Sequence, residues 1–184
     1  MKKIIYYTVF IILFLILWKC QVFKEPAAAV MSTTLGTPEI EEAEEDKLPD
    51  ADFNLTVKDL DGNLINMKDY KGKVIFLNFW ATWCMPCVAE LPSINNLFNQ
   101  FKDDVVFLLI SNESLEKVKS YHTKKEYKVP FHIIDNEGKI PNLYYHESIP
   151  YTVLINKNGK IIKTTVGAED WDDEDFIIEL KKMI

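Results

Sequence analysis

Residues 74–101 read VIFLNFWATWCMPCVAELPSINNLFNQF. The stretch opens on a continuous run of apolar, strand-forming residues, the pattern of a strand covered on both faces. Past Trp83 the period changes: Val88, Leu91, Ile94, Leu97, Phe98 and Phe101 recur at three- and four-residue steps, one buried face of a helix. Cys84-Met85-Pro86-Cys87 falls at the changeover, which puts two thiols at a helix start. Unpaired backbone N–H groups and the positive end of the helix dipole favour an anion there, so a thiol at that place titrates below an ordinary one. Cys84 therefore reads as a nucleophile. Pro86 lies inside the first turn, where a missing N–H costs little. Pro92 lies inside the helix, where it predicts a kink.

Upstream, Phe53, Leu55 and Val57 alternate, Asp61-Gly62-Asn63 has turn chemistry, and Leu64 and Ile65 resume, which predicts a β-hairpin. Downstream, residues 105–110 form a second apolar strand, followed by an amphipathic helix marked by Leu115, Val118 and Tyr121, with Asn112 or Ser114 as its cap. A short strand at 131–134 and a helical turn at 140–145 lead to Pro150 and a strand at 151–155. Asn158-Gly159 is the favoured pair for a type I′ turn, so the strand at 160–166 is its antiparallel neighbour. Acidic residues at 170–174 and Lys181 and Lys182 match the two poles of a final helix. The fold class is α/β: βαβ units make parallel pairs and the closing hairpin antiparallel ones, giving a mixed central sheet with helices on both faces and an extra N-terminal hairpin.

The chain has 184 residues and a net charge of −7, enough for one well-packed domain. Acid is concentrated in residues 25–52, which hold nine acidic side chains and one lysine. All 21 basic residues are lysine. That balance argues against a nucleic-acid partner and leaves no arginine fork for clamping phosphate. Residues 1–23 begin with Lys2 and Lys3 and continue as an apolar run from Ile4 to Trp18, expected to be a membrane anchor or signal segment. Three fates are open for it: an uncleaved anchor, lipid attachment at Cys20, or cleavage near Ala27, Ala28 and Ala29. With the two lysines held inside, the rest of the chain lies outside the cytoplasm. Residues 24–52 read as an acidic flexible linker, too poor in large apolar residues to offset their ordering entropy. The folded domain is expected over 53–184.

A CxxC alone suits a redox pair, half a zinc site or haem attachment. Haem attachment needs histidine after the second cysteine, and Val88 stands there. A zinc site needs two further ligands, whereas Cys20, His122, His132 and His146 are scattered singly. The histidines are expected at the surface or locally satisfied, and no metal or cofactor is assigned. A CxxC between strand and helix favours the redox pair. Two other readings stay open: a thiol peroxidase using Cys84, and a copper- or zinc-handling domain using the CxxC.

The run Phe79-Trp80-Ala81-Thr82-Trp83-Cys84-Met85-Pro86-Cys87, with Glu90, Pro92 and Ile149-Pro150-Tyr151-Thr152, resembles the thioredoxin superfamily and, more narrowly, the membrane-anchored TlpA/ResA-like thiol-disulfide oxidoreductases. The resemblance covers roughly residues 48–184. It implies a monomeric domain on the periplasmic or extracellular side of a bacterial membrane that reduces protein disulfides, often in cytochrome c maturation, and is re-reduced by a membrane thiol donor. It also implies a catalytic set of Cys84, Cys87 and Glu90, with Glu90 as the carboxylate that sets cysteine pKa values or relays a proton. Trp83, Pro86, Ile149 and Pro150 would form the substrate-binding surface, with Ile149-Pro150 a cis bond facing the CxxC. Many thioredoxins carry a buried aspartate where Asn78 stands, so Glu90 becomes the acid/base candidate.

Overall fold

A computed structural model of the chain describes Gly36 and residues 47–134 and 140–184. The expected anchor, Cys20 and the expected linker as far as residue 46, Gly36 apart, lie outside the described residues. No helix among the described residues is long and apolar enough to cross a membrane.

The strands are β1 (Thr56–Asp59), β2 (Leu64–Asn66), β3 (Val74–Phe79), β4 (Val105–Ser111), β5 (Phe131–Ile133), β6 (Tyr151–Ile155) and β7 (Ile161–Val166). The α-helices are α1 (Met85–Phe101), α2 (Leu115–Lys125) and α3 (Glu174–Lys181). The strands form one mixed sheet in the order β2-β1-β5-β4-β3-β6-β7, with β3, β4 and β5 parallel and the other pairings antiparallel. This is a thioredoxin-like arrangement extended by the predicted N-terminal hairpin.

Every residue of β3 is buried. Successive side chains point to opposite faces, so Val74 and Phe76 join one core cluster and Ile75, Leu77 and Phe79 the other. The crossovers β3–α1–β4 and β4–α2–β5 step in the same direction along the sheet. Right-handed crossovers then place both helices on one face, and the buried apolar residues of α1, α2 and α3 all belong to the first cluster. All three α-helices thus share one face, and the helical cover expected on the other face is of a different kind. The second face is covered by 3-10 turns at Met67–Tyr70 and Asn142–Tyr144, which bury Met67 and Tyr144. The chain before β1 also contributes to this face, through Leu55 and the half-buried Phe53.

Local chemistry explains the element ends. Ser114 caps α2 by accepting from the Lys117 N–H, and Asp173 caps α3 by accepting from the N–H groups of Asp175 and Phe176. α1 continues through Pro92 as a single helix of 17 residues. In the β1–β2 turn the Asp59 carboxylate accepts from the backbone N–H groups of Asp61 and Asn63, each at 2.9 Å, and Gly62 takes the positive φ the turn requires.

Two expectations need correction. The β6–β7 turn is not type I′, which needs a positive φ at both Asn158 and Gly159; only Gly159 has one. The Gly159 N–H donates to the Asn156 carbonyl, and the Asn156 side chain accepts from the N–H groups of Asn158 and Lys160. That side-chain anchor selects a three-residue loop with glycine in its left-handed position. His132 is not a surface residue and is satisfied only in part: it is buried in β5, its ring has a hydrogen bond to the Leu109 backbone, and its Nδ1 has no partner. Burial holds its pKa down near 4, against the opposing pull of Asp59 on β1.

Residues 48–51, which the sequence placed in the linker, lie against the β6–β7 turn: Ala51 N–H donates to the Gly159 carbonyl and Ile161 N–H to the Pro49 carbonyl.

Candidate active site

β3 runs straight into the site. After Phe79, the Trp80 N–H donates to the Ile110 carbonyl, and the Cys84 N–H to the Ala81 carbonyl, closing the turn that starts α1. Cys84 is the N-cap of that helix: its Sγ accepts the Cys87 N–H at 3.3 Å. An N-cap side chain receives the helix's orphan donors, so the helix geometry stabilises negative charge on that sulfur. The two sulfurs are joined in a disulfide, with the Cα atoms 5.2 Å apart.

Exposure distinguishes the two cysteines. Cys87 is 0% exposed and Cys84 5%, while Trp83 and Met85 on either side stand 65% and 66% exposed. The expected exposed helix start is thus an exposed rim around a sulfur that only just reaches the surface. Pro86, in the first helical turn, completes the rim.

The opposite side of the site comes from β6. Phe79 of β3 pairs with Tyr151 of β6, which brings the residues before Tyr151 alongside the start of α1. The Ile149–Pro150 bond is cis, and the Ile149 carbonyl oxygen lies 3.6 Å from Cys84 Sγ. A cleft of about 270 Å³ opens beside this junction, lined by Trp83, Ile140, Tyr145, His146 and Ile149 among others. Among the described residues no group of three or more His, Cys, Asp or Glu side chains is placed to hold a metal ion.

Glu90 lies three residues beyond Cys87, about 4.5 Å further along the helix axis, and is fully buried. Its Oε1 accepts from Asn78 Nδ2 at 2.9 Å, and its Oε2 from Trp171 Nε1 at 2.9 Å and the Glu169 N–H at 3.3 Å. Asn78 also donates to Thr152 Oγ1 of β6 at 2.9 Å. Burial pushes the Glu90 carboxyl up to about 7; the hydrogen bonds from Trp171, Asn78 and Glu169 oppose the rise and the Glu169 charge adds to it. A carboxyl poised there exchanges a proton near neutral pH.

Two residues around the site went unread in the sequence: Trp171, which donates to Glu90, and Glu113. Glu113, between β4 and α2, accepts from the Thr82 N–H at 2.6 Å and from Thr82 Oγ1 at 2.9 Å, and pairs with Lys117. Burial pushes its carboxyl up, but the Lys117 and Thr82 contacts outweigh that and hold it below the usual range. Glu113 thereby fixes the loop that carries Trp83 and leads into Cys84. Its partner lies 31 residues away, so no local pattern announces it. Glu113→Ala is expected to lower the unfolding free energy by about 2 kcal/mol. Urea titration of the variant and of wild type above pH 6 checks this; equal midpoints would show the loop to be held without it.

A strand-to-helix CxxC disulfide, a cis-proline loop against its outer sulfur and a seven-stranded mixed sheet together define a thiol-disulfide oxidoreductase of thioredoxin-like fold. The chain belongs to the Redoxin family, whose pattern matches residues 43–178, and within the thioredoxin superfamily it is of the ResA/TlpA-like kind. It is 37% identical over 117 residues to the thiol-disulfide oxidoreductase ResA of Bacillus cereus, covering 63% of this chain and 68% of that one. To ResA of Bacillus subtilis it is 36% identical over 116 residues, covering 62% and 65%. Among solved structures it is similar to the pneumococcal exposed lipoprotein thioredoxin Etrx1 of Streptococcus pneumoniae. That match has 31% identity, a TM-score of 0.58 and coverage of 70% of this chain and 98% of that one. StoA of Bacillus subtilis matches with 26% identity and a TM-score of 0.52, covering 61% and 87%.

Proposed function

We propose that the Cys84–Cys87 pair reduces disulfides of proteins outside the cytoplasm, from a domain tethered to the membrane by the chain before residue 48. The observation that carries the chemistry is the asymmetry of the pair: one sulfur reaches the surface at a helix N-cap, beside the Ile149 carbonyl, and the other is sealed beneath it.

In the reducing direction the Cys84 thiolate attacks one sulfur of the substrate disulfide, and the other substrate sulfur leaves as a thiolate and takes a proton. Cys87 then gives up its proton and attacks Cys84 Sγ, which closes the enzyme disulfide and releases the second substrate thiolate. Two electrons pass to the substrate, and a membrane thiol donor restores the cysteines. Glu90, one turn below Cys87, is the group that takes and returns the proton. Trp83, Pro86, Ile149 and Pro150 form the surface against which the substrate chain lies.

The tethered, extracytoplasmic placement rests on the apolar run of residues 1–23, and a lipoprotein thioredoxin among the structural relatives supports it. The TlpA/ResA-like resemblance of the sequence implies clients in cytochrome c maturation, and a single copy of the domain contains the whole site. The deciding experiment is trapping with Cys87→Ala in cells. Without the resolving thiol, covalent adducts through Cys84 should accumulate with extracytoplasmic proteins, vanish on reduction, and be absent from the Cys84→Ser/Cys87→Ala double variant. Peroxide consumption that persists in Cys87→Ser, without such adducts, would place the chain among thiol peroxidases instead.

A further inference from the structure

The loop between β7 and α3 carries a tryptophan that neither the motif nor the sheet explains. Trp171 is fully buried. Its indole meets Phe76 of β3 edge-on, with ring centroids 4.9 Å apart, and Phe176 of α3 at 5.3 Å. Its backbone N–H donates to Ser93 Oγ at 3.1 Å, and Ser93 Oγ donates to the Glu90 carbonyl at 2.9 Å. The ring is thus held by β3 and α3 and the backbone by α1, and the Nε1–H points at Glu90 Oε2 at 2.9 Å. The same loop reaches the other half of the site, since the Gly167 N–H donates to the Pro150 carbonyl at 2.9 Å.

We propose that Trp171 is a positioning residue for the redox pair: its indole N–H holds the Glu90 carboxylate in place beneath Cys87 and sets the pH at which that carboxylate exchanges its proton. This rests on the reading of Glu90 as the acid/base group of the site. An N–H donor binds an ionised carboxylate more strongly than the neutral acid, so the indole works against protonation. The other groups around Glu90 are Cys87 and Ser93 on its own helix, Asn78 on β3 and, through it, Thr152 on β6. On the loop stand the Glu169 N–H and the Glu169 carboxylate, whose charge favours protonation of Glu90 and is itself offset by Lys163 of β7. Two side chains donate to the carboxylate, Asn78 to Oε1 and Trp171 to Oε2, and the Trp171 ring is held by its packing against Phe76 and Phe176.

The test is the pH dependence of thiol alkylation in the reduced protein. Besides the ionisation of the thiol itself, wild type should show an inflection near pH 7 that is absent from Glu90→Gln. Trp171→Phe keeps most of the ring packing and removes the donor, and it should move the inflection up by about one pH unit. An unmoved inflection in a folded Trp171→Phe protein overturns the proposal while leaving Glu90 in its role. An alkylation profile in Glu90→Gln that is unchanged from wild type overturns both. Should Trp171→Phe fail to fold, the Trp171 Nε1–H resonance of wild type serves instead. It should titrate with the same midpoint and lose that titration in Glu90→Gln, and a resonance that stays fixed through this pH range overturns the proposal.

Discussion

Replacing Cys84 with serine is expected to bring insulin-disulfide reduction down to the uncatalysed background. A serine hydroxyl does not ionise at neutral pH, so the helix N-terminus that favours a thiolate has nothing to act on. Cys87 cannot substitute, because it is sealed beneath Cys84 and its rim. Cys87→Ser should fail differently: the first exchange goes ahead, the mixed disulfide is not resolved, and one burst of substrate thiol is released without turnover. Thiol release followed in the two variants separates these outcomes. Full activity in Cys84→Ser would remove it as the nucleophile.

The second large effect concerns stability rather than rate. Glu90 in the folded protein titrates near 7, against 4.5 for the free group. Its folded-state pKa lies above the unfolded one, so between those values the native state binds more protons than the unfolded chain, and stability falls as pH rises. Below the unfolded value burial of the neutral acid carries no ionisation penalty; above about 7 the penalty is complete. Between pH 5 and pH 8 this group should remove about 2.5 kcal/mol of unfolding free energy. His132 pulls the other way, because it is buried neutral and the unfolded chain takes up its proton as the pH falls. Asp170, raised to about 6 by burial and the neighbouring Asp172, adds to the Glu90 slope. The difference between Glu90→Gln and wild type cancels both. Urea unfolding of the two proteins at several pH values should show Glu90→Gln gaining on wild type as pH rises, and a constant difference would show Glu90 to be ionised throughout.

What could be read from the chain follows the range of the interactions involved. The β3–α1 junction was legible because the change from a continuous apolar run to a helical period is local, and so was the hairpin at Asp61-Gly62-Asn63. Glu90 as a buried group had a sequence signal: its phase on α1 falls with Cys87, Leu91, Ile94 and Leu97, all buried. A glutamate on an apolar stripe points to a functional group or a paired one. His132 had a weaker version of that signal, a histidine between Phe131 and Ile133. The β6–β7 turn was misread because Asn158-Gly159 was taken by itself, whereas the Asn156 side chain decides the loop. Glu113 and Trp171 had no signal, since the sheet order brings them to Thr82 and Glu90 from 31 and 81 residues away.

The two halves of the site are the ends of adjacent strands. The CxxC follows the last residue of β3, and Pro150 immediately precedes the first residue of β6, with Phe79 and Tyr151 paired between them. Both strands lie inside the seven-stranded sheet and neither is an edge. Local fraying, which starts at sheet edges and termini, therefore cannot separate the cysteines from the proline loop. Catalytic competence and global cooperativity are bound together: the geometry around Cys84 should persist up to the main unfolding transition and disappear within it.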